Sequence, residues 1–167
     1  AGTPRFMMVA GDSGTGKSSM VLAGAVPELE ARGLRWASMR PGAAPADQLT
    51  AALASLADVA GARLLIVDQF EEVFTGGADL DERTAFVRRL WDLAHGPAAA
   101  GLSVIVTMRI DFLGRCGEIL LDRACGLRLD KVVCDARHQV LVARMDAEQL
   151  RLAIEGPAHK VGIELAP

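Results

Sequence analysis

A three-layer α/β/α sandwich around a mostly parallel five-stranded sheet is the fold this sequence predicts, and three observations predict it. A glycine-rich pattern of eight residues, Gly11-Asp-Ser-Gly-Thr-Gly-Lys-Ser18, stands between an apolar run and a helical one. A second apolar run, Arg63-Leu-Leu-Ile-Val-Asp68, ends in a single acid. Strand-like and helix-like segments alternate along the chain, the order of a parallel sheet covered on both faces.

The first element is Arg5–Ala10, a short apolar run that reads as a buried strand. The glycine-rich segment after it matches G-x-x-x-x-G-K-[S/T] in full. Gly11, Gly14 and Gly16 are expected to take positive φ angles and let the backbone approach a polyphosphate closely. Backbone N–H groups and the positive end of the next helix would then face the anion. Lys17 supplies a charge for the β- and γ-phosphates, and Ser18 a hydroxyl for Mg2+. Ser13, Thr15 and Ser19 complete the expected nucleotide-binding set. The segment from Ser18 to Leu29 spaces Met20, Val21, Gly24 and Leu29 along one helical face.

Leu34–Met39 reads as a second strand, and Pro41–Pro45 as a turn. Asp47 is placed to cap a helix that buries Leu49, Leu53 and Leu56. Arg63–Asp68 is the most apolar strand, and a short acidic helix, Gln69 to Phe74, follows it up to Gly76 and Gly77. Asp79 with Glu82 forms a capping box for a helix that turns Phe86, Leu90, Leu93 and Ala94 inward. Leu102–Thr107 is the fourth strand, Asp111 to Leu121 reads as helical, and Gln139 to Ala143 supplies a fifth strand. A second capping box, Asp146 with Gln149, opens a helix through Leu150 and Ile154 that is expected to stop at Gly156-Pro157. Residues 122–138 carry no clear period. The reading divides the chain into a core, 1–145, and the start of a helical lid, 146–167, cut from a longer protein.

Bulk properties narrow the function classes. At 167 residues with 51% apolar and 23% charged residues, the chain suits one packed α/β domain. A net charge of −3 argues against a nucleic-acid surface, which needs clustered Lys and Arg. No apolar stretch reaches the ~18 residues that cross a bilayer, so no membrane partner is expected. Cys116, Cys125 and Cys134 show neither metal-ligand spacing nor a disulfide framework, which suits reduced thiols in a cytoplasmic protein. His95, His138 and His159 are scattered; Cys134 and His138 lie one helical turn apart, too few ligands for zinc.

The chemistry concentrates after the strands. Asp68, at the carboxyl end of its strand, is placed to hold Mg2+ opposite Ser18; its plain alternative is a helix cap. One strand–helix unit, residues 34–58, lies between the phosphate loop and Asp68. The first strand and the Asp68 strand are therefore expected to be separated by another strand, which resembles the additional-strand branch of P-loop ATPases. No N-K-x-D guanine-reading motif is present, so ATP or ADP is the expected nucleotide. Gln69 follows Asp68 where many such ATPases carry a glutamate, which leaves Glu71 and Glu72 as candidate bases or as acids that merely suit a helix N-terminus. Arg109 closes the fourth strand, either to read the γ-phosphate or to pair with Asp111.

Together these motifs resemble the STAND class of signalling ATPases, in particular the bacterial nSTAND1-type nucleotide-binding domain. The resemblance runs through Gly11–Ser19, Ala23-Gly24 with Pro27 and Leu29, Arg40-Pro41-Gly42, Leu65-Ile-Val-Asp-Gln-Phe-Glu-Glu-Val-Phe74, Thr107-Met-Arg-Ile-Asp-Phe112 and Ala153-Ile-Glu-Gly-Pro-Ala158. It implies that Lys17 and Ser18 bind phosphate and Mg2+, that Asp68 is the metal-side acid and that Arg109 is a sensor. It further implies an ADP/ATP switch with slow hydrolysis, governing effector and sensor domains of a longer chain or its homo-oligomerisation. An ADP-holding scaffold that never turns over, and a small-molecule phosphotransferase, are the competing readings.

Overall fold

A computed structural model describes residues 4–57, 61–96, 102–160 and 162. Strand β1 (Phe6–Gly11) leads into the phosphate loop and a long helix made of α1 (Lys17–Ser19), a π-helical turn (Met20–Ala25) and α2 (Val26–Ala31). Then come β2 (Arg35–Met39), α3 (Pro45–Ala54), β3 (Arg63–Val67), α4 (Glu72–Thr75), α5 (Leu80–His95) and β4 (Leu102–Arg109). A 3-10 helix (Ile110–Glu118), β5 (Leu120–Asp122), β6 (Leu127–Arg128), α6 (Leu129–Val133), β7 (Gln139–Val142) and α7 (Ala147–Lys160) follow.

Five strands form one sheet in the order β2-β3-β4-β1-β7, and each neighbouring pair is parallel. Strand β4 therefore separates β1 from β3, as the position of the 34–58 unit predicts. Side chains alternate across the sheet as the period of two requires. Phe6, Met8, Ala10, Leu65, Val67, Val104, Val106 and Met108 enter a large core with Leu49 of α3 and Phe86, Val87 and Leu90 of α5. Val9, Leu64 and Ile66 face the other way, into a smaller core closed by Val21 and Val26.

Several elements differ from the sequence pattern, each for a local reason. In the first helix the Val26 N–H bonds to the Val21 carbonyl, five residues back. Pro27 follows, with no N–H to give the carbonyl of Ala23. The wider turn shifts the helical face, so Val21 and Val26 point inward while Met20 is 42% exposed. Asp47 does not cap α3: Pro45 opens the helix after Ala44, and Asp47 sits in the first turn, where its charge suits the helix dipole.

The stretch read as helix from Gln69 is a turn up to Glu71, with Gln69 at φ 55, and only Glu72–Thr75 is helical. The helix expected over 111–121 is a 3-10 helix ending at Glu118. Residues 122–138 hold the end of the β5–β6 hairpin, turned at Gly126 (φ 69), and α6, which buries Leu129, Val132 and Val133. Pieces this short have no period to read.

Both capping boxes form: Asp79 with Glu82, and Asp146 with Gln149. Helix α7 does not stop at Pro157 but runs to Lys160. Gly156 precedes that proline and has no Cβ for the ring to strike. None of the residues of α7 is buried.

Candidate nucleotide-binding site

The site lies where the carboxyl ends of β1, β3 and β4 meet, because a parallel sheet brings every such end to one edge. Gly14 and Gly16 take φ 79 and 83, a region that costs an L-residue with a Cβ roughly 1–2 kcal/mol. Gly11 is needed for a different reason than a positive φ. A Cβ there would lie 2.5 Å from the Val142 carbonyl oxygen of β7 and 3.0 Å from the Thr15 hydroxyl. The Thr15 hydroxyl, almost fully buried, donates to the Asp12 carbonyl at 3.0 Å and closes the loop from inside.

Lys17 folds back along the loop, its Nζ donating to the carbonyls of Gly11 (3.0 Å) and Asp12 (2.6 Å). The loop is also held from the far side of the sheet. Arg144, just past β7, pairs with the Asp12 carboxylate at 2.9 Å. The Met145 methyl lies 3.3 Å from where a Cβ on Gly16 would stand.

Asp68 is the best-held acid of the site. It is 4% exposed at the end of β3. Its Oδ1 accepts hydrogen bonds from the Ser18 hydroxyl (2.5 Å) and the Thr107 hydroxyl (2.7 Å). Its Oδ2 accepts from Arg40 Nε (3.3 Å) and Nη2 (3.2 Å). Burial pushes the Asp68 pKa up, but the hydroxyls of Ser18 and Thr107 and the Arg40 guanidinium outweigh it and hold the carboxyl below its ordinary value. The acid is therefore ionised at neutral pH. The donor set fits a Mg2+ ion: with its proton committed to Asp68, the Ser18 hydroxyl keeps its lone pairs for a cation, and the charge it needs stands behind it.

A cleft of about 370 Å3 opens between the loop residues Ser13, Gly14, Gly16, Lys17, Ser18 and Ser19 on one wall and Gln69, Glu71, Thr107 and Arg109 on the other. Of the two candidate bases, only one lies in it. Glu72 turns away, its Oε2 accepting the Gly42 N–H at 2.8 Å. Glu71 lines the cleft and accepts the Arg109 backbone N–H at 3.3 Å. The Arg109 guanidinium pairs with Asp111 through two contacts, 2.7 and 3.1 Å, and lies over the Phe112 ring. No helical turn joins Cys134 to His138, since α6 ends at Val133, and the His138 Nδ1 is 2.7 Å from the Phe6 carbonyl oxygen. Among the described residues no cluster of three or more His, Cys, Asp or Glu is placed to hold a metal by itself.

Two contributors, Thr107 and Arg40, stand inside segments of the family pattern, but the pattern assigns them no role. Thr107 joins β4 to β3 twice, donating to Asp68 and accepting the Gln69 N–H at 3.1 Å. Arg40 follows Met39, which pairs with Val67 in the β2–β3 register, so Arg40 and Asp68 leave adjacent strands at the same level. The signal for both lies in strand order.

Comparison with known proteins bears on the family and the fold. The model of the family described as Novel STAND NTPase 1 (nSTAND1) matches residues 1–167. No curated protein matches the chain. Among solved structures, the Aeropyrum pernix ORC2 protein in its ADP form is similar, with 11% identity and a TM-score of 0.62, covering 95% of this chain and 47% of that one. The FIGL-1 AAA domain in complex with ADP gives 15% identity and a TM-score of 0.56, covering 94% of this chain and 49% of that one. The chain thus spans about half the length of these solved proteins, and at such identities the likeness is one of fold alone. With the family match spanning the whole sequence, the chain belongs to the Novel STAND NTPase 1 family.

Proposed function

We propose that this chain is the ADP/ATP switch core of a STAND-type signalling ATPase, in which slow, Mg2+-dependent hydrolysis resets the conformation of a larger cytoplasmic protein. The observation that carries the reading is the direct contact of Ser18 with the buried, ionised Asp68, beside a phosphate loop whose Lys17 stands free of any carboxylate partner among the described residues. Lys17 Nζ has only carbonyls to leave when it turns to a phosphate. Ser18 and Asp68 would hold Mg2+, which when bound neutralises charge on the β- and γ-phosphates. Adenine is favoured by the absence of a guanine-reading motif. The fold neighbours crystallised with ADP point the same way.

Of the two candidate bases, Glu71 is the better placed, since it lines the cleft while Glu72 is committed to Gly42. Residues 1–145 act as the binding core, and α7 begins the lid of residues 146–167. Its exposed Leu150, Leu152 and Ile154 suit a helix that packs on further domains of the longer chain or on a second copy. A second reading, an ADP holder without turnover, is favoured by one observation. The residue after Asp68 that lines the cleft is Gln69, whose amide cannot accept a proton from water.

The test is to denature freshly purified protein, identify any released nucleotide by chromatography, and titrate nucleotide-free protein with ADP and ATP. Bound or bindable adenine nucleotide is expected, with affinity falling about a hundredfold in Lys17→Ala through loss of charge-assisted hydrogen bonds. Wild-type affinity in that variant would remove the phosphate-loop assignment. Phosphate release over hours then separates the switch from the holder.

A further inference from the structure

Asp68 already has a cation beside it. Arg40 Nη2 and Nε lie 3.2 and 3.3 Å from Oδ2, the oxygen that the Ser18 and Thr107 hydroxyls leave alone. The two partners differ sharply in their freedom. The Asp68 side chain is 5% exposed and fixed at the end of a central strand, whereas that of Arg40 is 61% exposed. The mostly exposed arginine can therefore swing into water, and the buried aspartate cannot follow it.

The backbone that carries Arg40 is nonetheless anchored. Strand β2 is zipped to β3 as far as Met39 and Val67, the Asp68 N–H bonds to the Met39 carbonyl at 2.9 Å, and Gly42 is tied to Glu72. Only the side chain is released. It starts from the sheet edge, and the phosphate loop follows β1, three strands further in, past β3 and β4.

We infer that Arg40 is the resident counter-ion of Asp68, with which Mg2+ competes on entering beside Ser18, so that Arg40 sets how much metal the loaded site requires. The inference rests on the nucleotide-binding reading above. With Arg40 in place the acid is neutralised, and an arriving cation meets a pair of net charge zero instead of a carboxylate. When the metal binds, the two cations repel through a shared acid, and the exposed one yields because water solvates it well. The pair is half in solvent, so its worth is modest: removing the arginine is expected to tighten metal binding about fivefold.

The experiment titrates the whole chain with Mn2+ in the presence of saturating ADP, reading free Mn2+ by electron paramagnetic resonance. A parallel titration measures ADP binding with and without Mn2+. Arg40→Gln is expected to bind Mn2+ about fivefold more tightly and to show a correspondingly larger gain in ADP affinity when metal is added. Arg40→Lys, which keeps the charge, should stay within about twofold of the native chain. In an Asp68→Asn background, Arg40→Gln should change nothing.

Unchanged or weaker Mn2+ binding in Arg40→Gln overturns the inference. So does a loss of ADP affinity that is equal with and without metal, which would make Arg40 a phosphate ligand or a structural pin. Should Arg40→Gln fail to fold, Arg40→Ala and the Lys variant carry the same comparison. Failure of the native chain to bind ADP at all would instead remove the nucleotide reading, and this inference with it.

Discussion

Two strand ends face each other across the cleft, and they are held by opposite means. After β1 the geometry rests first on the backbone: Gly14 and Gly16 sit at φ 79 and 83, and the loop's side-chain ties, from the Thr15 hydroxyl and from Arg144, both end on Asp12. After β3 the geometry belongs to side chains. Asp68 is fixed by Ser18 from α1, Thr107 from β4 and Arg40 from just past β2, three residues drawn from three other parts of the chain. A backbone device is written locally, so it shows as a motif. A side-chain device is assembled by topology: a motif names Ser18 and Asp68, but nothing in the sequence says that Thr107 and Arg40 join them.

The comparison breaks most visibly at Thr107. This residue is 1% exposed, donates to Asp68 and accepts the Gln69 N–H. Thr107→Val keeps the shape but leaves that N–H without its acceptor and Asp68 with one donor fewer. A loss of about 1–3 kcal/mol in urea unfolding is expected. The variant should also change the acid limb. The folded pKa of Asp68 lies below the ordinary 3.8, so its charge contributes stability that is complete above that value and lost as pH falls through the lower folded one. With Thr107 gone the folded pKa rises toward 3.8, and the pH-dependent part shrinks. If Thr107→Val unfolds like the native protein at pH 7 and below, the side-chain account of this strand end is wrong.

Arg109 sharpens the comparison next, because it lies between the two devices and belongs to neither. Its guanidinium is engaged by Asp111, the bland alternative visible in the sequence, yet it lines the same cleft as Lys17. A role in reading the γ-phosphate requires it to leave Asp111. Arg109→Ala is then expected to weaken ATP about tenfold and ADP less than twofold. Asp111→Asn, which frees the arginine, should tighten ATP by about twofold or threefold. Equal effects on both nucleotides in isothermal titration would assign Arg109 to the Asp111 pair alone.

The legibility of the molecule follows the same division. The five strands, their parallel order and the insertion of β4 between β1 and β3 could be read because each strand is an apolar run and the 34–58 unit fixes the connection. Lys17, Ser18 and Asp68 could be read because a motif names them. What could not be read depends on distance in the fold. Gly11 is kept small by the Val142 carbonyl, 131 residues away in the chain. Arg40 matters because β2 pairs with β3 in one register, and Thr107 because β4 lies beside β3. In the first helix Val21 and Leu29 face the core as their spacing predicts, while Met20 and Gly24 do not, because a π-helical turn adds a residue to the repeat. The turn after Asp68 departs from the helix its sequence predicts because Gln69 leaves the right-handed helical region.

Gln69 supplies the finest test of the comparison, since it is a backbone device made without glycine. At φ 55 it occupies the left-handed region, at a cost of roughly 1–2 kcal/mol for a residue with a Cβ. Its neighbours over-determine it. The Gln69 N–H bonds to the Thr107 hydroxyl and the Phe70 N–H to the Thr107 carbonyl, while Phe70 itself is fully buried. Gln69→Gly removes the strain but frees the unfolded chain, which offsets about 0.5–1 kcal/mol. A net stabilisation of at most about 1 kcal/mol in urea unfolding is therefore expected. Were the protein destabilised instead, the glutamine side chain would be making contacts that outweigh its strained backbone. If the glycine variant is more stable but holds nucleotide less well, the strain is retained for the amide that Gln69 presents to the cleft, and the turn after β3 is tuned at that position for function.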